Sequence, residues 1–310
     1  MMRRLRFAVA FAAGLCSAGM PQRVEAQSRG VYPLGMTATG SGVTPESGFT
    51  YANQLLFYSR DESKGDDGST LPVSGNNAVI MDMNSFVWVS KRTVLGGARY
   101  SMIATLPIAK NQLMSDIHGQ LSGGGGFADS YYLPLVLGWN DERVSIRALA
   151  GFLAPTGRFT AGASDNVGSG YWTPTLSSGQ TVHLTRSQSL ILSGFALYEW
   201  HTKQEGTATK PGGTINLDYS LVRGFAFAQG ARRVQLGLAG YLQRQTTAKT
   251  GPEITAEQSQ ERYAVNAIGL VTNLVFPKQR ASVGIKFFNE FANRAAYQGY
   301  SFQLSGSVTF

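Results

Sequence analysis

Between Tyr297 and Phe310 apolar and polar residues alternate without a break. Tyr300, Phe302, Leu304, Gly306, Val308 and Phe310 make one face; Gly299, Ser301, Gln303, Ser305, Ser307 and Thr309 make the other. A period of two predicts a β-strand with one apolar and one polar side. An edge strand showing Phe and Leu to water is an aggregation template. The closing strand of a transmembrane barrel instead turns that face to lipid.

The same alternation recurs along the chain and predicts strands over 48–59, 77–90, 96–109, 127–139, 143–154, 171–184, 190–201, 214–223, 232–246, 262–276 and 281–292 before the last at 297–310. Ser177-Ser178-Gly179 interrupts the sixth and reads as a bulge. The connections 60–76, 110–126, 155–170, 202–213 and 247–261 are long and polar; those between them are mostly short. Twelve strands whose loops are long at one end and short at the other predict an all-β fold, a transmembrane antiparallel up-and-down barrel over 48–310. Outward faces are read as Met102, Leu106 and Ile108, then Val144, Ile146 and Phe152, then Leu192, Val283, Ile285 and Phe287. The opposite, lumen-facing register takes Asp82, Asn84, Arg99, Arg147, Glu199, Lys286 and Glu290, since a cation at mid-membrane on the lipid side costs about 2–4 kcal/mol. These side chains either solvate a wet lumen and pair with one another, or form a constriction that selects solutes. Trp139, Tyr198, Trp200, Tyr300 and Phe310 are read as membrane-interface anchors, and Asp129 as a cap at a loop base. Pro134 removes a ladder donor within a strand and predicts a kink there, which together with the bend at Pro155 and Gly157 would shape a path for apolar solutes.

The start of the chain has Arg3, Arg4 and Arg6 ahead of an uncharged run, then Val24-Glu25-Ala26. This predicts a secretory signal, 1–26, cut after Ala26. Its apolar run is too short to span a bilayer as a helix. Residues 27–47, rich in Gly, Ser, Thr and Pro, are expected to be a periplasmic lead-in, with insertion into the lumen left open. The single cysteine, Cys16, falls in the signal, so the mature chain has no thiol for a disulfide or a metal. The formal charge of +8 falls to +5 without that segment, a mild excess, and an exported chain has no nucleic-acid partner.

Catalytic constellations are sparse. His118, His183 and His201 show no metal-ligand spacing. Ser193 and His201 share a face, but eight residues of strand separate them by roughly 26 Å. Gly123-Gly124-Gly125-Gly126 lacks the Lys-Ser/Thr of a phosphate loop and reads as a flexible loop end. The loop acids Asp61, Glu62, Asp66, Asp67, Asp116 and Asp165 have no EF-hand spacing and read as a solvated surface. No enzyme, no cofactor and no metal is expected.

The stretch Thr44-Pro-Glu-Ser-Gly-Phe-Thr-Tyr-Ala-Asn53 with Tyr58 resembles the start of the outer-membrane family "putative MetA-pathway of phenol degradation". So do Gly126-Phe-Ala-Asp129, Pro134-Leu-Val-Leu-Gly-Trp139, Ala154-Pro-Thr-Gly-Arg-Phe159 and Asn166 to Gly170-Tyr-Trp-Thr-Pro174. The chain departs in Gly-Phe-Ala-Asp, where Gly-x-Gly-Asp is usual, and in longer outer loops. The resemblance implies a bacterial outer-membrane barrel that passes small hydrophobic or aromatic compounds; it carries no site residues over. Expected partners are outer-membrane lipid and lipopolysaccharide, the barrel assembly machinery through the C-terminal strand, and a small organic solute. Two readings stand: a passive channel or transporter, and a non-transporting barrel with a structural or surface role. A lead-in that fills the lumen would favour the second.

Overall fold

A computed structural model describes residues 30–72, 75–115, 119–227 and 232–310; the signal segment expected at 1–26, Asp116 and His118 lie outside them. The strands are β1 (Gly48–Lys64), β2 (Gly75–Val94), β3 (Ala98–Ser115), β4 (Gly119–Phe127), β5 (Ser130–Asn140), β6 (Val144–Ala154), β7 (Thr173–His183), β8 (Leu190–Glu199), β9 (Thr214–Phe227), β10 (Arg232–Gln245), β11 (Ala264–Phe276), β12 (Ala281–Glu290) and β13 (Ala296–Thr309). Each pairs antiparallel with its sequence neighbours, except that β3 pairs with both β4 and β5, which form one stave broken at Ala128-Asp129. β13 returns to β1, from Thr50↔Thr309 to Lys64↔Ala296, and closes a ring of twelve staves. Closure gives each stave a partner on both sides, which is what hydrocarbon demands of a strand structure, while β4, the loop-end part of its stave, pairs with β3 alone.

Facing follows from burial. On β12, Val283, Ile285 and Phe287 are exposed while Lys286, Phe288 and Glu290 are buried. On β13, Tyr300, Phe302 and Leu304 are exposed while Ser301 and Gln303 are buried. Leu192, Leu221, Leu236, Leu238, Ile268 and Leu270 continue the apolar outer wall. Trp200, Tyr300 and Phe310 lie exposed on it near strand ends, with Trp139 and Tyr198 partly exposed. Rings also cluster at the turn end, where Phe49 lies 6.4 Å from Phe310 and 6.2 Å from Phe86.

Three expectations are corrected. Asp82 and Asn84 do not face the lumen. Met83 and Val89 are buried inside, so Ile80, Asp82, Asn84, Phe86 and Trp88 point outward. The rule of apolar outside and polar inside inverts on β2 because its inner face meets an apolar filling: Met83 packs with Leu56, Tyr58 and Met36. The bulge expected at Ser177-Ser178-Gly179 is absent, and β7 runs in unbroken register with β6 and β8. Gly123 to Gly126 are strand, paired with Gln112 to Ala109. Gly124 is held from both sides, and a Cβ there would lie 2.0 Å from the Asp165 carbonyl. The kink expected at Pro134 coincides with register shifts on both sides of β5, between Tyr132 and Leu135 and opposite Ser101 and Ile103.

The lead-in lies inside the barrel. Tyr32, Leu34 and Ala38 are buried in one cluster with Phe195, Leu197, Val222, Tyr241 and Phe288. Its described part, 30–47, has no helix or strand; Gly35 (φ 76°) turns it against the Phe288 ring, and Gly42 brings it within reach of the Ser145 carbonyl. A buried backbone without helix or sheet needs other hydrogen-bond partners.

Candidate functional site

Those partners are the inward side chains. Glu199 accepts from the Val31 and Tyr32 amides, each at 2.9 Å. Asp218 accepts from the Gly35 amide (2.9 Å), the Thr37 amide (3.1 Å) and the Tyr32 hydroxyl (2.7 Å). Lys286 Nζ donates to the carbonyls of Gly35 (2.8 Å) and Met36 (2.7 Å), Gln303 to that of Leu34 (2.8 Å), and Ser220 to that of Ala38 (2.6 Å). Further along, Arg147 Nε donates to Ser41 O (2.7 Å), the Thr181 hydroxyl accepts from Gly42 N (3.0 Å), and Asn140 bonds both polar groups of the Thr44 backbone. The segment is thus bound as a peptide is bound, by acceptors facing its amides and donors facing its carbonyls.

Of the expected lumen residues, Arg147, Glu199 and Lys286 converge on this plug. Glu290 does not touch it; its carboxylate takes Arg60 (3.0 Å and two contacts of 3.2 Å), Tyr241 (2.9 Å) and Asn293 (3.1 Å). Arg60 in turn lies over the Tyr58 ring, 4.2 Å from its centroid. Arg99 sits apart, half-buried on the inner side near the turn before β3. Asp218, Arg60 and Tyr32 were not expected. For Asp218 the signal was legible: Thr214, Asn216, Asp218 and Ser220 alternate with Ile215, Leu217, Tyr219 and Leu221. Arg60 was hidden because β1 continues past Ser59 to Lys64.

On the long-loop side of the plug lies a cavity of about 320 Å³, lined by Val31, Pro33 and Met36 of the plug and by Met81, Met83, Pro107, Tyr131, Leu153, Phe159 and Val167. Its polar lining is already engaged. Asp129 accepts from Gly157 N (3.0 Å), Ser169 N (2.8 Å) and Ser169 Oγ (2.5 Å). Asn111 donates to Asn166 O (2.9 Å) and accepts from Gly124 N (2.8 Å); Gln204 donates to Ser169 O (2.8 Å) and accepts from Thr207 (3.0 Å). Thr105 is bonded to Ser85 (2.8 Å). Burial pushes the Asp129 carboxyl above the usual carboxylate range, against the pull of the Ser169 and Gly157 donors. Asp129 thus ties the 155–172 connection over the cavity at the break between β4 and β5.

Ser193 and His201 are engaged with different partners. Ser193 bonds Gly40 N (3.1 Å) and Thr181 (3.2 Å), whereas His201 Nδ1 is engaged with Thr173 (2.9 Å) and Nε2 lies 3.5 Å from Glu199. Asp165 forms an exposed ion pair with Arg158 (3.0 Å). Among the described residues no group of three or more His, Cys, Asp or Glu side chains is placed to hold a metal ion.

A closed antiparallel barrel with an apolar outer band and a filled polar lumen defines a bacterial outer-membrane β-barrel protein. The chain belongs to the family described as "Putative MetA-pathway of phenol degradation", whose family model matches residues 59–305. No curated protein matches it. Among solved structures it is similar to an outer membrane channel from Pseudomonas putida F1, with 12% identity, TM-score 0.69, and 91% of this chain and 100% of that one covered. It is also similar to the β domain of the Bordetella autotransporter Brka, with 11% identity, TM-score 0.52, and 86% and 100% covered.

Proposed function

We propose that the protein is a passive outer-membrane channel for small hydrophobic or aromatic compounds. The observation that carries this reading is the cavity: its volume suits one small organic molecule, and its polar side chains Asn111, Asp129 and Gln204 are engaged by backbone and side-chain groups of the chain itself. A solute entering there gains apolar contact and finds few donors waiting, so a hydroxyl-rich solute gains little over water. Membership of a family described by phenol degradation agrees in solute class. The P. putida neighbour is described as a channel, which agrees in kind. Catalysis forms no part of this reading. The outer band would meet outer-membrane lipid and lipopolysaccharide, and β13, ending beside Phe310, would engage the barrel assembly machinery.

The ordered plug favours the second reading, a closed barrel with a structural or surface role, because it fills the middle of the lumen. Uptake decides between them. A deletion strain carrying the wild-type chain should take up monoaromatic solutes faster than the bare deletion strain. Met81→Trp, which puts an indole into the cavity, should cut that uptake at least about tenfold while the barrel keeps its heat-modifiable gel mobility. Equal uptake with and without the chain, across aromatic and aliphatic panels, would sink the channel reading.

A further inference from the structure

The outer wall of β1 and β2 breaks the apolar belt. Asn53 is Cα-paired with Asn84, and Leu55 with Asp82, so Tyr51, Asn53, Asp82 and Asn84 stand together on the lipid side. Asn53 Nδ2 donates to Asp82 Oδ1 (2.5 Å) and Asn84 Oδ1 (3.3 Å). The Tyr51 hydroxyl donates to Asn84 Oδ1 (2.6 Å), and Asn84 Nδ2 to Asp82 Oδ2 (3.4 Å). Tyr51 stands two residues from Phe49, while Asn53 and Asn84 stand four residues from Phe49 and Trp88, the rings at the turn end of these strands. A membrane-crossing strand needs about 9–11 residues, so the cluster lies well inside the span. Ile80 and Phe57 cover its other side. Other charged residues on the outer wall, such as Arg223, Arg232 and Arg244, lie toward strand ends.

Polar groups facing hydrocarbon are costly, and a membrane protein that keeps them pairs them with one another or with polar groups of the surface packed against them. We propose that the β1–β2 wall is the seam of a homo-oligomer, in which the Tyr51–Asn53–Asp82–Asn84 cluster of one copy bonds that of a second. A second copy fits because the cluster is self-complementary. Beyond its internal bonds Asn84 keeps an amide hydrogen, and the Asp82 oxygens keep lone pairs. A two-fold axis through the patch brings the donors of one copy to the acceptors of the other. The wall also allows approach, since Gly306 is paired beside Asn53 and Ala104 beside Phe86. Lys110, paired with Ile80, lies diagonal to Asp82 toward the outer rim. An intrachain bond from it would serve Asp82 alone and needs no second copy.

The proposal is independent of solute passage and is tested in native outer membranes. Leu55→Cys, beside Asp82, should cross-link to a species of twice the chain mass on mild oxidation. Leu221→Cys, on the opposite wall, should not. Adding Asp82→Leu and Asn84→Leu to Leu55→Cys should lower the cross-linked fraction at least about tenfold while heat-modifiable mobility persists. Should the double leucine variant fail to fold, native mass spectrometry of the detergent-extracted wild-type chain decides alone, with a dimer or higher oligomer expected. Three results overturn the proposal: equal cross-linking at both walls, monomer only, or an adduct whose mass requires a different protein.

Discussion

His201 shows how a single buried ring makes the fold depend on pH. It is buried at the loop end of β8, edge-on to Tyr171 at 5.2 Å, with Lys210 and Glu199 as the charged groups acting on or facing it. Burial, and secondarily Lys210, push its pKa down to about 4 from the usual 6.5. A depressed folded-state value means that its contribution to stability is complete above pH 6.5 and is lost as pH falls toward 4. Taking the barrel from pH 7.5 to 4.5 should therefore cost on the order of 2–3 kcal/mol through this group. Thermal unfolding in detergent should show the loss, and His201→Gln should flatten the pH dependence; an unchanged slope in that variant would remove His201 from the account. Asp82 carries the opposite lesson. Its polarity spoke for the lumen, yet facing on β2 is set by what Met81 and Met83 pack against, and the plug residue Met36 that meets them lies in a segment with no periodicity to announce it.

At the scale of elements, alternation was enough to find the staves, because a period of two is imposed by the backbone on every strand that separates lipid from lumen. Ends were less legible. β1 and β3 run past the expected limits to Lys64 and Ser115, where the apolar alternation gives way to Arg60-Asp-Glu-Ser-Lys64 and Lys110-Asn-Gln112. The β4–β5 break was legible only in part: Asp129 announced a cap, but its partners Gly157 and Ser169 are distant in sequence. Asp129→Ala should leave two buried amides without their acceptor and cost about 2–3 kcal/mol. Limited proteolysis should then cut within 155–172 at least tenfold faster, with Asp129→Asn intermediate because it keeps one acceptor oxygen. Indifference of the cleavage rate would mean that the connection is held by Arg158 and Asn166 alone. Pro134 belongs to the same stave. Pro134→Ala restores a ladder donor, and if the kink shapes the solute path, uptake should fall while folding is unaffected; unchanged uptake and single-channel behaviour would discard that idea.

The whole molecule must solve a filling problem set by its strand number. Side chains alone fill a barrel of about eight strands, while about sixteen leave an aqueous channel. Twelve staves lie between, and here the lead-in supplies the missing volume with Tyr32, Leu34 and Ala38. The bonds that hold it come from Arg147, Glu199, Asp218 and Lys286, charged groups that would stand in water if it left. Desolvating such groups is offset only while the plug's amides and carbonyls meet them, so the closed state is strong in contacts yet close to an open, hydrated alternative. Deleting residues 30–42 should therefore preserve the barrel, since the ring is closed by β13 on β1 without them. Single-channel conductance should rise several-fold over the wild-type chain, and small sugars should begin to swell liposomes. Glu199→Gln with Asp218→Asn, which weakens the acceptors for Val31, Tyr32 and Gly35 without shortening the chain, should give brief openings to the same level. Were the deleted chain to fold and conduct no better than the intact one, the plug would not be what closes the lumen, and closure would have to come from the 155–172 connection above the cavity.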